Sequence, residues 1–245
     1  MEKWARPTIV LLGDSITQFS FDPEQRGWGA GLANWYHRSA DVVNRGFSGY
    51  NSRWIKQALP SMFPTSFTQI DLLTIMLGAN DAVMEGPGTQ HVSLQEYTEN
   101  IKACVVYFQA LNPLCHIILI TPPNVNSILW PDRATSLVCQ YAEAVRCIGI
   151  SFASPRVHVL DLWGGGEDAA VNNELDLFDG LHFGEGANKK TLSGLQAIVR
   201  ERIPEMNPEE GVDGGAPNLP MHFYNHRVIR EDEATTQKML LEWRW

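Results

Sequence analysis

Five short apolar runs recur along the chain, at residues 8–12, 41–44, 70–77, 116–121 and 157–162. Each is nearly continuous in apolar character instead of alternating with polar residues, the pattern expected of strands buried on both faces. The stretches between them carry a different period. From 94 to 111, Leu94, Tyr97, Ile101, Cys104, Val105, Phe108 and Leu111 fall on one stripe, and Asn112-Pro113 ends the helix they define. Residues 134–148 repeat the stripe through Leu137, Tyr141, Ala144, Val145 and Ile148, and residues 185–203 through Leu192, Leu195, Ile198 and Val199. Shorter helices are expected over 29–36 and 52–59. Strand and helix thus alternate from end to end, which predicts an α/β fold with a parallel sheet covered by helices on both faces. In such sheets chemistry collects in the loops just beyond the C-terminal ends of the strands.

A chain of 245 residues, 44% of them apolar, can bury one substantial core. The expected organisation is one domain over residues 1–205 and a C-terminal extension over 206–245. The extension opens with a turn-rich linker and continues into a segment holding Met221, Phe223, Tyr224, Val228, Ile229, Leu240, Trp243 and Trp245. So many large apolar groups are expected to dock onto the body or onto a second subunit, which makes homo-oligomerisation through the extension one expectation. Nineteen basic against 28 acidic residues give a formal charge of -9, which disfavours a broad nucleic-acid-binding surface. The N-terminal apolar run is too brief for a signal peptide, and no stretch approaches the roughly 20 apolar residues of a membrane helix, so a cytoplasmic protein without a transmembrane segment is expected. Cys104, Cys115, Cys139 and Cys147 lack metal-ligand spacing and read as free, buried thiols.

Polar residues at the strand ends deserve the closest reading. The first run ends in Gly13-Asp14-Ser15-Ile16-Thr17, where the serine hydroxyl is either a nucleophile at a helix start or, with Asp14 or Thr17, an ordinary cap. The second leads into Asn44-Arg45-Gly46-Phe47-Ser48-Gly49-Tyr50-Asn51, a turn whose glycines also allow a backbone N–H close to a ligand. The third leads into Gly78-Ala79-Asn80-Asp81. Asn80 there can donate its amide to an oxyanion or close an Asx turn, while Asp81 supports the loop. Past the fifth run lies Phe178-Asp179-Gly180-Leu181-His182-Phe183. A carboxylate three residues before a histidine can hold one ring nitrogen and free the other for proton transfer, or the pair can merely cap the last helix.

Together a hydroxyl, a backbone donor, an amide donor and an acid–base pair supply every part an acyl-transfer site needs. Over residues 8–203 the chain resembles the SGNH, or GDSL-like, hydrolase superfamily, whose four blocks match Gly13-Asp14-Ser15-Ile16, Asn44 to Asn51, Gly78-Ala79-Asn80-Asp81 and Asp179-Gly180-Leu181-His182. The longer strings around Ser15, Gly27-Trp28-Gly29, Arg53-Trp54 and Asp179 to Phe183 are similar to its isoamyl acetate-hydrolysing esterase group. The resemblance implies a flavodoxin-like three-layer α/β/α sandwich with a five-stranded parallel sheet in the order 2-1-3-4-5. It implies Ser15, Asp179 and His182 as catalytic triad; an oxyanion hole from the Ser15 and Gly49 N–H groups and the Asn80 amide; no metal or other cofactor; and a small, short-acyl ester as substrate.

Phe19, Trp28, Phe47, Tyr50 and Trp130 lie in or near the strand-end loops and are candidates for an apolar acyl or alcohol pocket, core packing being the alternative for each. Phe183 is expected to seat the His182 loop. Thioesterase or deacetylase activity would use the same site. A metal-dependent phosphoesterase built on Asp14, Asp81, Asp179 and His182, and a non-enzymatic interaction module, are the rivals from other classes.

Overall fold

The structure, a computed structural model, describes residues 6–37, 39–66, 69–86, 90–163 and 176–209. The five apolar runs form strands β1 (Thr8–Gly13), β2 (Asp41–Gly46), β3 (Leu72–Met76), β4 (His116–Ile120) and β5 (Val157–Leu160). All neighbouring strands pair in parallel, in the order β2-β1-β3-β4-β5. The chain thus starts near one edge, crosses back once, and builds the rest of the sheet outward from β1.

The helices are α1 (Ser15–Gln18), α2 (Trp28–Trp35), α3 (Ser52–Met62), α4 (Leu94–Leu111), α5 (Thr135–Phe152) and α6 (Glu185–Arg202). Helix α2 packs with α6 on one face of the sheet; α3, α4 and α5 pack in series. The result is the expected three-layer sandwich. Local chemistry sets the boundaries: Ser93 caps α4 by accepting from Glu96 N–H, and Asn51 caps α3 by accepting from Trp54 N–H at 3.0 Å. The buried side of α4 is Tyr97, Ile101, Cys104, Val105 and Phe108, the predicted stripe, joined by Asn100.

The strands differ in burial in a way their apolar character did not foretell. Every residue of β3 and β4 is buried, whereas no residue of β2 is, and Asp41 and Arg45 are exposed. β2 is an edge strand with β1 on one side only. Its short helical neighbours do not close over it, so the expectation of burial on both faces fails there. Two cysteines also depart from expectation: all four are free and Cys104 and Cys115 are buried, but Cys139 is half-buried and Cys147 exposed. Both lie off the buried stripe of α5, which runs through Val138, Tyr141, Ala142, Val145 and Ile148.

Beyond residue 205, Met206 is buried and Glu209 is held by Arg200 (2.7 Å to each guanidinium nitrogen involved) and by Trp35 Nε1 at 2.8 Å. The apolar segment expected to dock, from 219 onward, lies outside the described residues. Among the described residues no helix is long and apolar enough to cross a membrane.

Candidate active site

Strand β1 delivers Gly13, Asp14 and Ser15 to the C-terminal edge of the sheet. Gly13 is needed there because a Cβ would lie 2.1 Å from Thr17 Oγ1 and 2.5 Å from the Met76 carbonyl oxygen. Of the residues able to cap α1, Asp14 is the one that does so, accepting from Ile16 N–H at 2.9 Å. Ser15 is thereby left to do something else. Its Oγ, in a residue only 6% exposed, lies 2.9 Å from His182 Nε2.

His182 follows Asp179 in a tight turn. Gly180 takes φ +88° between them, a backbone region that favours glycine. Asp179 Oδ1 accepts from the N–H groups of Leu181 (2.9 Å) and His182 (2.7 Å), so the carboxylate organises its own loop, while Oδ2 lies 2.7 Å from His182 Nδ1. Burial pushes this carboxyl up, but the His182 ring and the two backbone donors outweigh it and hold Asp179 below the ordinary carboxylate range. Phe183, 5% exposed, seats the loop in the core as expected. The three side chains form one hydrogen-bonded line: carboxylate, imidazole, hydroxyl. A proton leaving the hydroxyl has an acceptor at hydrogen-bond distance, and the charged ring that results has its counter-ion in place.

The loops after β2 and β3 hold the two further residues expected to serve an oxyanion, Gly49 and Asn80. Gly49 takes φ +79°, and its carbonyl accepts from Gln90 Nε2 at 2.7 Å, fixing the loop that follows β2. Asn80, 5% exposed, donates one Nδ2 hydrogen to the Tyr50 carbonyl at 2.9 Å, which ties the loop after β3 to the loop after β2. Asp81 is structural, as expected. Its carboxylate accepts from Ser52 N–H at 2.9 and 3.2 Å.

Asp14 and Asp81 are both fully buried beside the site. Burial pushes Asp14 up to about 7 against the pull of Ile16 N–H, with the Asp81 charge adding to the rise. Burial likewise pushes Asp81 up to about 6, against its bonds from Ser52. Asp14 and Asp81 are thus engaged apart from the Asp179–His182 pair, and among the described residues no three His, Cys, Asp or Glu side chains form a set able to hold a metal ion.

The expected pocket aromatics divide. Phe19, 41% exposed, meets the His182 ring edge-on at 5.3 Å, and Trp130 meets it at 6.3 Å while donating Nε1–H to the Asp179 carbonyl at 3.0 Å. Phe47 and Tyr50 pack together at 5.4 Å beside Gly49, and Tyr50 and Trp54 border a surface hollow of about 520 Å³. Trp28 does not belong with them. It is fully buried in the core, where α2 packs on α6.

Two residues were missed. Phe178, 54% exposed, stacks on His182 at 5.9 Å; its place next to Asp179 was the available signal. Arg133 is 4% exposed and bonds the Ala79 carbonyl (3.1 Å), Asn80 Oδ1 (3.4 Å) and both oxygens of Asp132 (2.8 Å each). It lies in the loop beyond β4, where sequence reasoning offered only Trp130, as a pocket candidate, and no polar group.

The family model for the GDSL-like lipase/acylhydrolase family matches residues 11–190. The isoamyl acetate-hydrolyzing esterase 1 homolog of Homo sapiens is 36% identical over 215 residues, covering 82% of this chain and 84% of that protein. A GDSL esterase/lipase of Arabidopsis thaliana is 32% identical over 242 residues, covering 91% and 94%. Among solved structures, a lipase/acylhydrolase from Enterococcus faecalis superposes with a TM-score of 0.62 at 22% identity, covering 80% of this chain and 96% of that one. That likeness bears on fold; the two sequence matches span well over two thirds of each relative's length. A serine, a histidine and an acid on one hydrogen-bonded line at the strand ends, in a chain this close to known esterases, leave little distance between site and family: the chain belongs to the GDSL-like lipase/acylhydrolase family and is a carboxylic ester hydrolase.

Proposed function

We propose that this chain hydrolyses small, short-acyl carboxylic esters in two steps through an acyl-enzyme on Ser15. The observation that carries the proposal is the continuous line from Asp179 Oδ2 through His182 to Ser15 Oγ, at 2.7 and 2.9 Å. His182 Nε2 takes the Ser15 proton as Oγ attacks the ester carbonyl, then gives it to the departing alkoxide; water, deprotonated by the same nitrogen, releases the acid. The oxyanion is received by the Ser15 and Gly49 N–H groups and by the second Nδ2 hydrogen of Asn80. Each such donor is worth roughly 3 kcal/mol of transition-state stabilisation. Asp179 fixes the ring orientation and stabilises the imidazolium.

Substrate class follows from what surrounds the ring. The leaving alcohol must lie against His182 Nε2 to be protonated, and the exposed walls there, Phe19 and Phe178, are apolar. That favours an ester with an apolar alcohol, in agreement with the activity named for the human relative.

The test compares parent and Ser15→Ala on p-nitrophenyl acetate. A folded variant with at most roughly 10⁻⁴ of the parental kcat is expected. Equal rates in a folded variant would rule out the serine mechanism. Matched oxygen esters and thioesters of acetate, butyrate and octanoate then decide the acyl donor: an advantage confined to thioesters would replace the substrate assignment while leaving the mechanism intact.

A further inference from the structure

The Asn80 amide can serve an oxyanion only if its nitrogen, and not its oxygen, faces the reacting carbonyl. An asparagine side chain is nearly symmetric in shape, so nothing steric fixes that choice; hydrogen-bond partners must. Two are present. The Tyr50 carbonyl accepts from Nδ2 at 2.9 Å, and an Arg133 Nη2 hydrogen is donated to Oδ1 at 3.4 Å. A half-turn about the side-chain bond would set oxygen against the Tyr50 carbonyl and NH₂ against a guanidinium, losing both bonds at once.

Arg133 is built to act at this position. Its side chain is 4% exposed, unusual for arginine, and three of its nitrogens are committed: Nε to the Ala79 carbonyl, Nη1 to Asp132, Nη2 to Asn80. The guanidinium also lies over the Trp130 ring at 4.9 Å, and Trp130 Nε1 bonds the Asp179 carbonyl. One planar cation thereby links Asn80, through Trp130, to the loop that carries Asp179 and His182. A lysine could not do this, because a single ammonium lacks the fork that reaches the Ala79 carbonyl, Asn80 and Asp132 together.

We propose that Arg133 is the positioning residue of the oxyanion hole, holding Asn80 with its amide nitrogen toward the reacting carbonyl. Arg133 touches no substrate atom; it acts through Asn80. The inference rests on the esterase reading above, and in particular on Asn80 as oxyanion donor.

A double-mutant cycle on p-nitrophenyl acetate tests it. Asn80→Ala should lower kcat by about 10² to 10³. Arg133→Met, which keeps the stem and removes the fork, should lower it by about 30-fold with KM within about threefold, because the lost interaction is made only in the transition state. Combined, the two should cost no more than Asn80→Ala alone, since a positioner has nothing left to position. Arg133→Lys should fail to restore the rate. Losses that multiply in the double variant, a parental kcat in folded Arg133→Met, or a loss expressed wholly in KM would each overturn the role. Should Arg133→Met not fold, Arg133→Lys takes its place in the cycle under the same criteria. A parental rate in Asn80→Ala would remove the oxyanion assignment and the Arg133 role with it, whereas a parental rate in Ser15→Ala would remove the serine mechanism itself.

Discussion

The sheet carries a histidine bonded to a carboxylate at each of its two ends. At the C-terminal end, His182 Nδ1 lies 2.7 Å from Asp179 and Nε2 lies 2.9 Å from Ser15 Oγ. At the N-terminal end, His116 Nε2 lies 2.8 Å from Glu205 and 2.8 Å from Arg156, and Nδ1 lies 3.2 Å from His158 Nε2 in a stacked pair. The carboxylate contact is shared; what the other ring nitrogen meets differs. His182 faces a hydroxyl that can lose a proton, and His116 faces a second imidazole. Burial, with a smaller contribution from Arg156, also holds His116 below its ordinary range, and burial with the His116 charge presses His158 down to about 4. Such a pair resists the imidazolium that proton transfer requires. A histidine–acid contact is therefore not what marks the active site. On the proposed mechanism, what marks it is the Ser15 hydroxyl on the far nitrogen, at the end of the sheet where the loops converge.

That contrast can be broken by mutation. His182→Ala should lower kcat on p-nitrophenyl acetate by roughly 10⁴-fold or more, while His116→Ala should leave kcat within about threefold and register in thermal unfolding instead. Comparable losses in kcat from both would erase the distinction. Next in size, Asp179→Asn should cost roughly 10³-fold by releasing the ring from its orientation. Because Asp179 is held below the ordinary carboxylate range, the parent should not lose activity through this group until the pH falls below that range, a limit readable from a pH–rate profile. Trp130→Phe, which deletes the donor to the Asp179 carbonyl but keeps a ring beside His182, should cost only about threefold.

The smallest effect separates the two ends by stability. Folded Asp14 keeps its proton to about pH 7, whereas the unfolded chain releases it near 3.8. The folded state therefore binds more protons between these values, and Asp14 makes stability fall as pH rises from about 4 to 7. His158 does the opposite. Its folded value near 4 lies below the unfolded 6.5, so the unfolded state binds more protons in that window, and the His158 contribution is lost as pH falls from 6.5 to 4. Asp14→Asn should remove the decline and His158→Gln the rise, each by a few degrees in Tm across pH 4 to 8, read by calorimetry. Slopes of the same sign at both ends would contradict the assignment.

Much of this architecture was legible because it rests on repeats and adjacency. Helix α4 occupies the predicted residues 94–111 because its stripe and its Asn112-Pro113 stop are both local. The Asp179–His182 pair was legible for the same reason, lying three residues apart in one turn. Strand order came from family resemblance and not from periodicity, and the exposure of β2 went unread because its place at the edge is a property of the whole sheet. Arg133 and the His116–His158–Glu205 cluster were invisible for a related reason. Their partners lie 53 and 42 to 89 residues away, so no spacing announces them. For Trp28 the sequence left pocket and core both open, and its burial in the fold decides for the core.

The central claim is that Ser15 carries the acyl group. Incubation with an alkyl fluorophosphonate, followed by peptide mass spectrometry, addresses it without reliance on any substrate. One phosphonyl group per chain, on the peptide containing Ser15, with loss of esterase activity in the same proportion and no label on folded Ser15→Ala, is the predicted result. Stoichiometric label on another residue, or full activity in chains labelled at Ser15, would contradict the account.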